Sequence, residues 1–263
     1  MPDALLRAMD TGGVAYAMLV QPSVYGADHR FLFDTVRAHP GRFMPLALID
    51  PAEPEAVQTA VELVDAGCAG FRINLSLNVQ KAAAQLERPT WSDLVALGVP
   101  ICLRAMSGHH DLVRDALAHG ADCPIVIDHL GLPSQADPLE LTTARLGELA
   151  GFPHCSLKIA GLARLSRLGA PYTDVWPLVE AAVEAFGCSR LIWGSDYPNV
   201  DGSAGYGVSL DAIRSMPFVS TIDREQLLAG SSLALWGNPD PGDSGSAARD
   251  GVHPATHPGE GSS

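Results

Sequence analysis

Short apolar runs alternate with longer amphipathic segments along the chain as far as about residue 237. The runs 16–20, 43–49, 70–73, 100–103, 125–127, 155–159 and 191–193 are apolar on both faces, which predicts strands buried on both sides. Segments 31–38, 54–65, 91–97, 110–118, 139–150 and 172–186 carry the apolar spacing of helices. Gly67, Gly98, Gly120 and Gly187 close several of these segments, where a helix C-terminus favours glycine. Doubly buried strands joined by helices predict parallel pairing through right-handed crossovers, in either a (β/α) barrel or a doubly wound sheet.

Two features favour the barrel. No GxGxxG or GxxxxGK[ST] follows any strand, so the nucleotide-binding fingerprints of doubly wound sheets are missing. Polar residues recur instead just after many different strands: Gln21 and Ser23, Arg72 and Asn74, Arg104, Asp128 and His129, Lys158, Ser195 and Asp196. A barrel builds its site in this way, at the C-terminal ends of its strands. An acid at the lip of a buried strand must be paired, metal-bound or catalytic to offset its desolvation, which singles out Asp196 in "LIWGSDYPN". Alternation turns Asp128 to the opposite side of its strand from His129 and points to a structural role for it. It leaves the direction of Lys158 undecided.

Composition changes the picture at one end only. From residue 238 to 263 the chain is rich in Gly, Pro, Ser and Asp without apolar periodicity, which predicts a disordered tail after a barrel domain of residues 1–237. His253 and His257 lie in that tail and make a weak metal pair. A net charge of -13 supplies no basic stripe for a phosphate backbone, so nucleic acid is not an expected partner. Five cysteines stand singly with no CxxC pair, which suits reduced thiols and a cytoplasmic location. No apolar stretch is long enough to span a bilayer and the N-terminus lacks a signal-peptide pattern, so the expected partner is a small molecule, with a homo-oligomer possible.

Five motifs in order, "VQPSVYGADHRFLFDTVRAHPGRF" (20–43), "GFRINL" (70–75), "IVIDHLGLP" (125–133), "LKIAGLARLS" (157–166) and "LIWGSDYPN" (191–199), resemble the amidohydrolase-2 group of the amidohydrolase superfamily. That group includes 2-pyrone-4,6-dicarboxylate lactonase, L-fuconolactonase-like enzymes and decarboxylases of aromatic and muconate-type acids. The resemblance spans residues 3–237 and implies a TIM (β/α)8-type barrel. It implies a catalytic or metal-binding His at the sixth strand, carried here by His129. It also implies an Asp at the eighth strand that activates water, carried by Asp196.

The chain departs from the pattern twice. The superfamily's first strand carries H-x-H, whereas residues 1–13 read as a helix, "PDALLRAMDTGG", so seven of the eight strands are visible. This predicts an N-terminally truncated barrel, arising from a chain that starts inside the natural domain or from loss of the strand. At the fifth strand, where metal-dependent members place a histidine, this chain has Arg104, followed by His109 and His110 in capping or surface positions. Arginine is a poor metal ligand and a good carboxylate fork.

The expected reaction is therefore hydrolysis of a lactone or related cyclic ester of a small carboxylated metabolite. Asp196 takes a proton from water and His129 polarises the carbonyl, while Arg72 and Arg104 hold the carboxylate and Ser23 and Tyr25 donate to substrate oxygen. The alternatives are a decarboxylase in which His129 and Asp196 bind zinc or manganese, and an inactive remnant that binds a small acid.

Overall fold

The computed structural model describes residues 2–76, 79–87, 89–121 and 123–239. Residues 240–263, most of the segment that composition marks as a tail, lie outside the described residues, and with them His253 and His257.

Helix α1 (Pro2–Gly12) leads into strand β1 (Ala17–Val20), and the chain then alternates. It runs through α2 (Arg30–Ala38), β2 (Phe43–Leu48), α3 (Ala56–Asp65), β3 (Gly70–Asn74), α4 (Val79–Gln85), α5 (Thr90–Ala96) and β4 (Ile101–Arg104). It continues through α6 (His110–Ala118), β5 (Ile125–Ile127), α7 (Leu139–Ala150), β6 (Cys155–Ile159), α8 (Leu162–Leu165), α9 (Trp176–Phe186) and β7 (Leu191–Trp193). Helices α10 (Tyr206–Arg214), α11 (Thr221–Glu225) and α12 (Ser231–Trp236) follow.

All seven runs expected to be strands are strands. The expected helix 172–186 starts later, at Trp176, because Tyr172 sits at φ +65° and Pro177 suits the first helical turn. Helices α4, α8, α10, α11 and α12 were not expected from the pattern.

The sheet is parallel throughout and follows chain order, β1-β2-β3-β4-β5-β6-β7. Representative registers are Ala17 opposite Phe43, Phe71 opposite Ile101, Ile125 opposite Cys155 and Leu157 opposite Leu191. Parallel order places every C-terminal strand end on one side of the molecule.

The sheet curls. Met18 and Val20 of β1 and Ile192 of β7, the two end strands, belong to one interior cluster with Leu46, Cys102 and Val126. The alternate residues Ala47, Ile73, Leu103, Ile127, Leu157 and Leu191 face outward into the larger core shared with the helices. Trp236 of α12 joins the interior cluster, and its Nε1 approaches the Cβ position of Gly70, the first residue of β3. That end of the barrel is plugged by α12, leaving the C-terminal end as the mouth.

Between the two end strands, helix α1 takes a structural place. Its Leu5, Leu6 and Met9 pack with Ala17 and Leu19 of β1, Trp193 of β7 and Tyr206 of α10. Arg42 donates to Asp10 at 2.6 Å and Arg214 to the Gly12 carbonyl at 2.7 Å, which fasten the helix at its C-terminal end. An uncovered parallel edge would expose apolar surface and unpaired backbone groups, and the apolar face of α1 covers part of it.

Met9 is fully buried at that seam. Met9→Ala is expected to destabilise the fold by about 2–5 kcal/mol, measured as a lower urea midpoint with an unchanged slope. An unchanged midpoint would show that α1 contributes little to holding the seam.

Candidate active site

Strand alternation turns Arg72 and Asn74 of β3, Cys102 and Arg104 of β4, Asp128 just after β5 and Lys158 of β6 toward the interior, above the apolar cluster. At the centre is the Asp128 carboxylate, which is 3% exposed. Lys158 Nζ donates to its Oδ1 at 2.6 Å, and Arg72 Nη2 stands 3.2 Å from its Oδ2. Burial alone would raise the Asp128 pKa, but the ammonium of Lys158 and the guanidinium of Arg72 outweigh it and hold the group at about 2. Lys158 shows the mirror effect: burial would lower its pKa, and the Asp128 carboxylate raises it instead. Burial pushes the neighbouring Cys102 thiol up to about 11, so it stays neutral, 3.8 Å from Lys158 Nζ.

His129 follows Asp128 but does not lie behind it. The backbone turns left-handed at His129 (φ +53°), Leu130 (φ +56°), Gly131 (φ +77°) and Leu132 (φ +46°), which breaks strand alternation and brings the imidazole round to the mouth. The expectation that Asp128 and His129 would face opposite sides assumed a continuing strand. Each non-glycine residue in this region costs roughly 1–3 kcal/mol, a strain found mainly where function requires the geometry. The turn is held by Gly131 N to the Asp128 carbonyl at 3.1 Å and Leu132 N to the His129 carbonyl at 2.9 Å.

Asp196 repeats the device after β7, at φ +55°. Its Oδ1 accepts from Asn199 Nδ2 at 3.1 Å. Its Oδ2 and the His129 ring converge on Gly161. A Cβ built there would lie 3.1 Å from His129 Nδ1, 3.6 Å from Asp196 Oδ2 and 3.7 Å from Arg164 Cδ. Gly161 has φ +68°, so the same position demands both a bare Cα and a left-handed backbone.

Neither ring nitrogen of His129 has a hydrogen-bond partner among the described residues, and Nδ1 is fully buried. A substrate contact therefore falls to Nε2. A buried nitrogen without an acceptor is better as a lone pair than as an N–H, which puts the ring proton on Nε2, where it can donate. Burial lowers the His129 pKa, against the opposing pull of Asp128 and Asp196, which favours the uncharged ring.

The remaining expected residues divide. Ser23 Oγ accepts from Asn74 Nδ2 at 2.7 Å, and Asn74 Oδ1 in turn lies 3.4 Å from Arg104 Nη1, which also donates to Ser76 Oγ. These residues form one polar network on the mouth wall. Tyr25 is half exposed at the rim, stacked on Phe31 at 6.1 Å between centroids. His110 pairs with Glu148 at 3.0 Å, and His109 is buried with Nδ1 unpartnered rather than lying on the surface.

Arg164 of α8 was missed because it follows the strand by several residues. It stands exposed at the rim with no carboxylate partner among the described residues. Burial lowers the Arg104 pKa, and the nearby cations Arg72 and Arg164 lower it further.

A resident metal does not fit these residues. His129 and Asp196 supply two donors, and both oxygens of Asp128 are already taken by cations. No group of three His, Cys, Asp or Glu side chains comes together as a metal site among the described residues. Four cationic side chains around two carboxylates also oppose a divalent ion, which draws on three or four protein donors in catalytic and structural sites.

Comparison with known proteins places these observations. A family model described as amidohydrolase matches residues 1–237. A 4-sulfomuconolactone hydrolase of Rhizobium radiobacter is 29% identical over 204 residues, covering 74% of this chain and 64% of that protein. The chain thus spans less than two thirds of the length of that relative. An L-fucono-1,5-lactonase of Burkholderia multivorans is 34% identical over 124 residues, 43% of this chain and 40% of that one. Among solved structures, an amidohydrolase of Burkholderia multivorans with bound zinc superposes with a TM-score of 0.80 at 23% identity, covering 91% of this chain and 89% of that one. That likeness establishes the barrel fold.

Asp128→Asn leaves Lys158 and Arg72 without their counter-charge and is expected to cost about 3–5 kcal/mol at pH 7 by urea denaturation. Because the native pKa of Asp128 lies below its unfolded value, its contribution is complete above about pH 4 and is lost as pH falls toward 2. The gap between wild type and variant should narrow over that range. A constant gap would mean that the charge of Asp128 is not what stabilises the fold.

Proposed function

The chain belongs to the amidohydrolase family, and on that premise we propose that it is a hydrolase that opens a lactone of a small carboxylated metabolite by attack of water. The observation that carries this reading is the convergence of His129 and Asp196 on the bare Cα of Gly161, inside a ring of cations.

In the proposed reaction Asp196 Oδ2 accepts a proton from water as its oxygen bonds to the lactone carbonyl carbon. His129 Nε2–H donates to the carbonyl oxygen as it becomes an oxyanion. When the tetrahedral centre collapses, the ring ester C–O bond breaks and the leaving oxygen takes the proton back from Asp196, giving an open-chain hydroxy acid or its keto form.

Arg104 and Arg164 attract the substrate's carboxylate and orient the ring. Arg72 adds charge, but its Nη2 is committed to Asp128. Ser23 lies on the Asn74 network as a donor within the mouth, and Tyr25 stands at its entrance. Two more cations than carboxylates gather here in a chain whose net charge is -13, which supports an anionic substrate. The lactone hydrolases among its relatives support the same class.

A decarboxylase dependent on zinc or manganese is the second reading, favoured by the zinc bound in the structural relative. The donor set at His129 and Asp196 weighs against it. Stoichiometric metal required for turnover would favour it over the lactonase. All five cysteines are free and buried, which supports a reducing compartment such as the cytoplasm. No helix of the described residues is long and apolar enough to cross a membrane.

Asp196→Asn is expected to abolish hydrolysis of small carboxylated lactones while leaving the thermal midpoint within a few degrees. Retained turnover would remove Asp196 from the mechanism. Because burial lowers the His129 pKa, an NMR titration of its imidazole should reach its midpoint at a lower pH than an exposed histidine does. A midpoint at or above that of an exposed histidine would contradict a burial-dominated His129.

A further inference from the structure

The mechanism above uses His129 and Asp196 and leaves the buried carboxylate of Asp128 without a part in the reaction. Both of its oxygens are held by cations, at 2.6 Å from Lys158 and 3.2 Å from Arg72. Its N–H donates to the Leu103 carbonyl at 2.9 Å, and its own carbonyl accepts from Gly131. Asp128 is thus the last residue with normal strand pairing and the first of the left-handed turn that carries His129.

The stem of Lys158 runs past Gly194, the residue after β7, on its way to Asp128. A Cβ at Gly194 would lie 3.2 Å from Lys158 Cδ, 3.4 Å from Lys158 Cγ and 3.1 Å from Ala160 Cβ. Gly194 therefore leaves space for the lysine stem much as Gly161 leaves space for the His129 ring. Two glycines from two separate motifs clear the path for one lysine and one histidine, and the lysine grips the residue next to the histidine.

We infer that Lys158, acting through Asp128, is a positioning residue that holds the His129 ring against Gly161 at the angle the reaction needs. With no hydrogen bond to either ring nitrogen among the described residues, the angle of His129 depends on the backbone that Asp128 anchors. Lys158 does not touch the reacting atoms in this scheme, and its ammonium is consumed by Asp128. The functional part rests on the lactonase reading of the site. The structural part does not.

The test is Lys158→Met in the full chain, read two ways. In protein labelled with 15N-histidine, the imidazole signals of His129, assigned by their loss in His129→Gln, are expected to shift or broaden while the other histidines stay in place. With the best-turned-over carboxylated lactone, kcat should fall on the order of 10²-fold with KM within about twofold, as expected for a misplaced catalytic group.

Unmoved His129 signals with unchanged kcat in a folded variant would overturn the inference and leave Lys158 a structural residue. A rise in KM alone would overturn it differently, by placing Lys158 on the substrate. Should Lys158→Met fail to fold, Gly194→Ala keeps every charge and crowds the lysine stem together with Ala160 Cβ. It should move the same signals and lower kcat less, and unmoved signals would again refute the inference. Absence of lactone turnover in the wild type would strike the proposed reaction, while the imidazole signals would still decide whether Lys158 positions His129.

Discussion

One carboxylate in the barrel interior organises the rest of the site. Asp128 is removed from water, and an isolated charge there would cost far more than the fold's margin of stability. Two cations, Lys158 and Arg72, make it tolerable, and to reach it they must come from β6 and β3 on either side of β5. The ion pairs therefore tie three strands together at the point where the sheet ends and the mouth begins. Buried ion pairs seldom add net stability over apolar packing, so what this one contributes is a defined geometry at the strand ends.

The left-handed turns put that geometry to use. A continuing strand would have carried His129 to the outer face among the helices, where Ile127 already points. Positive φ at His129 and Asp196 brings both side chains back over the interior, and the bare Cα of Gly161 lets them approach each other. The strain of these turns is supported by the parallel ladder below and by the carbonyl hydrogen bonds within the turn. The resulting site sets a buried imidazole and a half-buried carboxylate beneath a rim of guanidinium groups.

Charge distribution separates the surface from the site. The net charge of -13 repels anions in general, while the mouth concentrates cations from β3, β4, β6 and α8. Arg104 sits in a polar network with Asn74, Ser76 and Ser23, which fixes its stem and leaves its charge unneutralised. At the opposite end, Trp236 of α12 packs into the barrel interior, and α1 covers part of the seam between the end strands.

The order and nature of the seven strands, the helix at the start of the chain and the positions of the chemical side chains were legible in the sequence. Burial on both faces of a parallel strand leaves an unbroken apolar run, and each run stops where the chain reaches the mouth. His129 and Asp196 were singled out from motif and desolvation alone. The sequence could not show that Asp128 and His129 share one side, because alternation holds only while the backbone remains a strand, and the turn that breaks it is built from histidine and leucine rather than glycine alone. Nor could it show that Lys158 pairs with Asp128, that Gly194 makes room for it, or that Arg164 stands at the rim. Those relations join residues of different strands, and only the closing of the sheet brings them within a hydrogen bond's length.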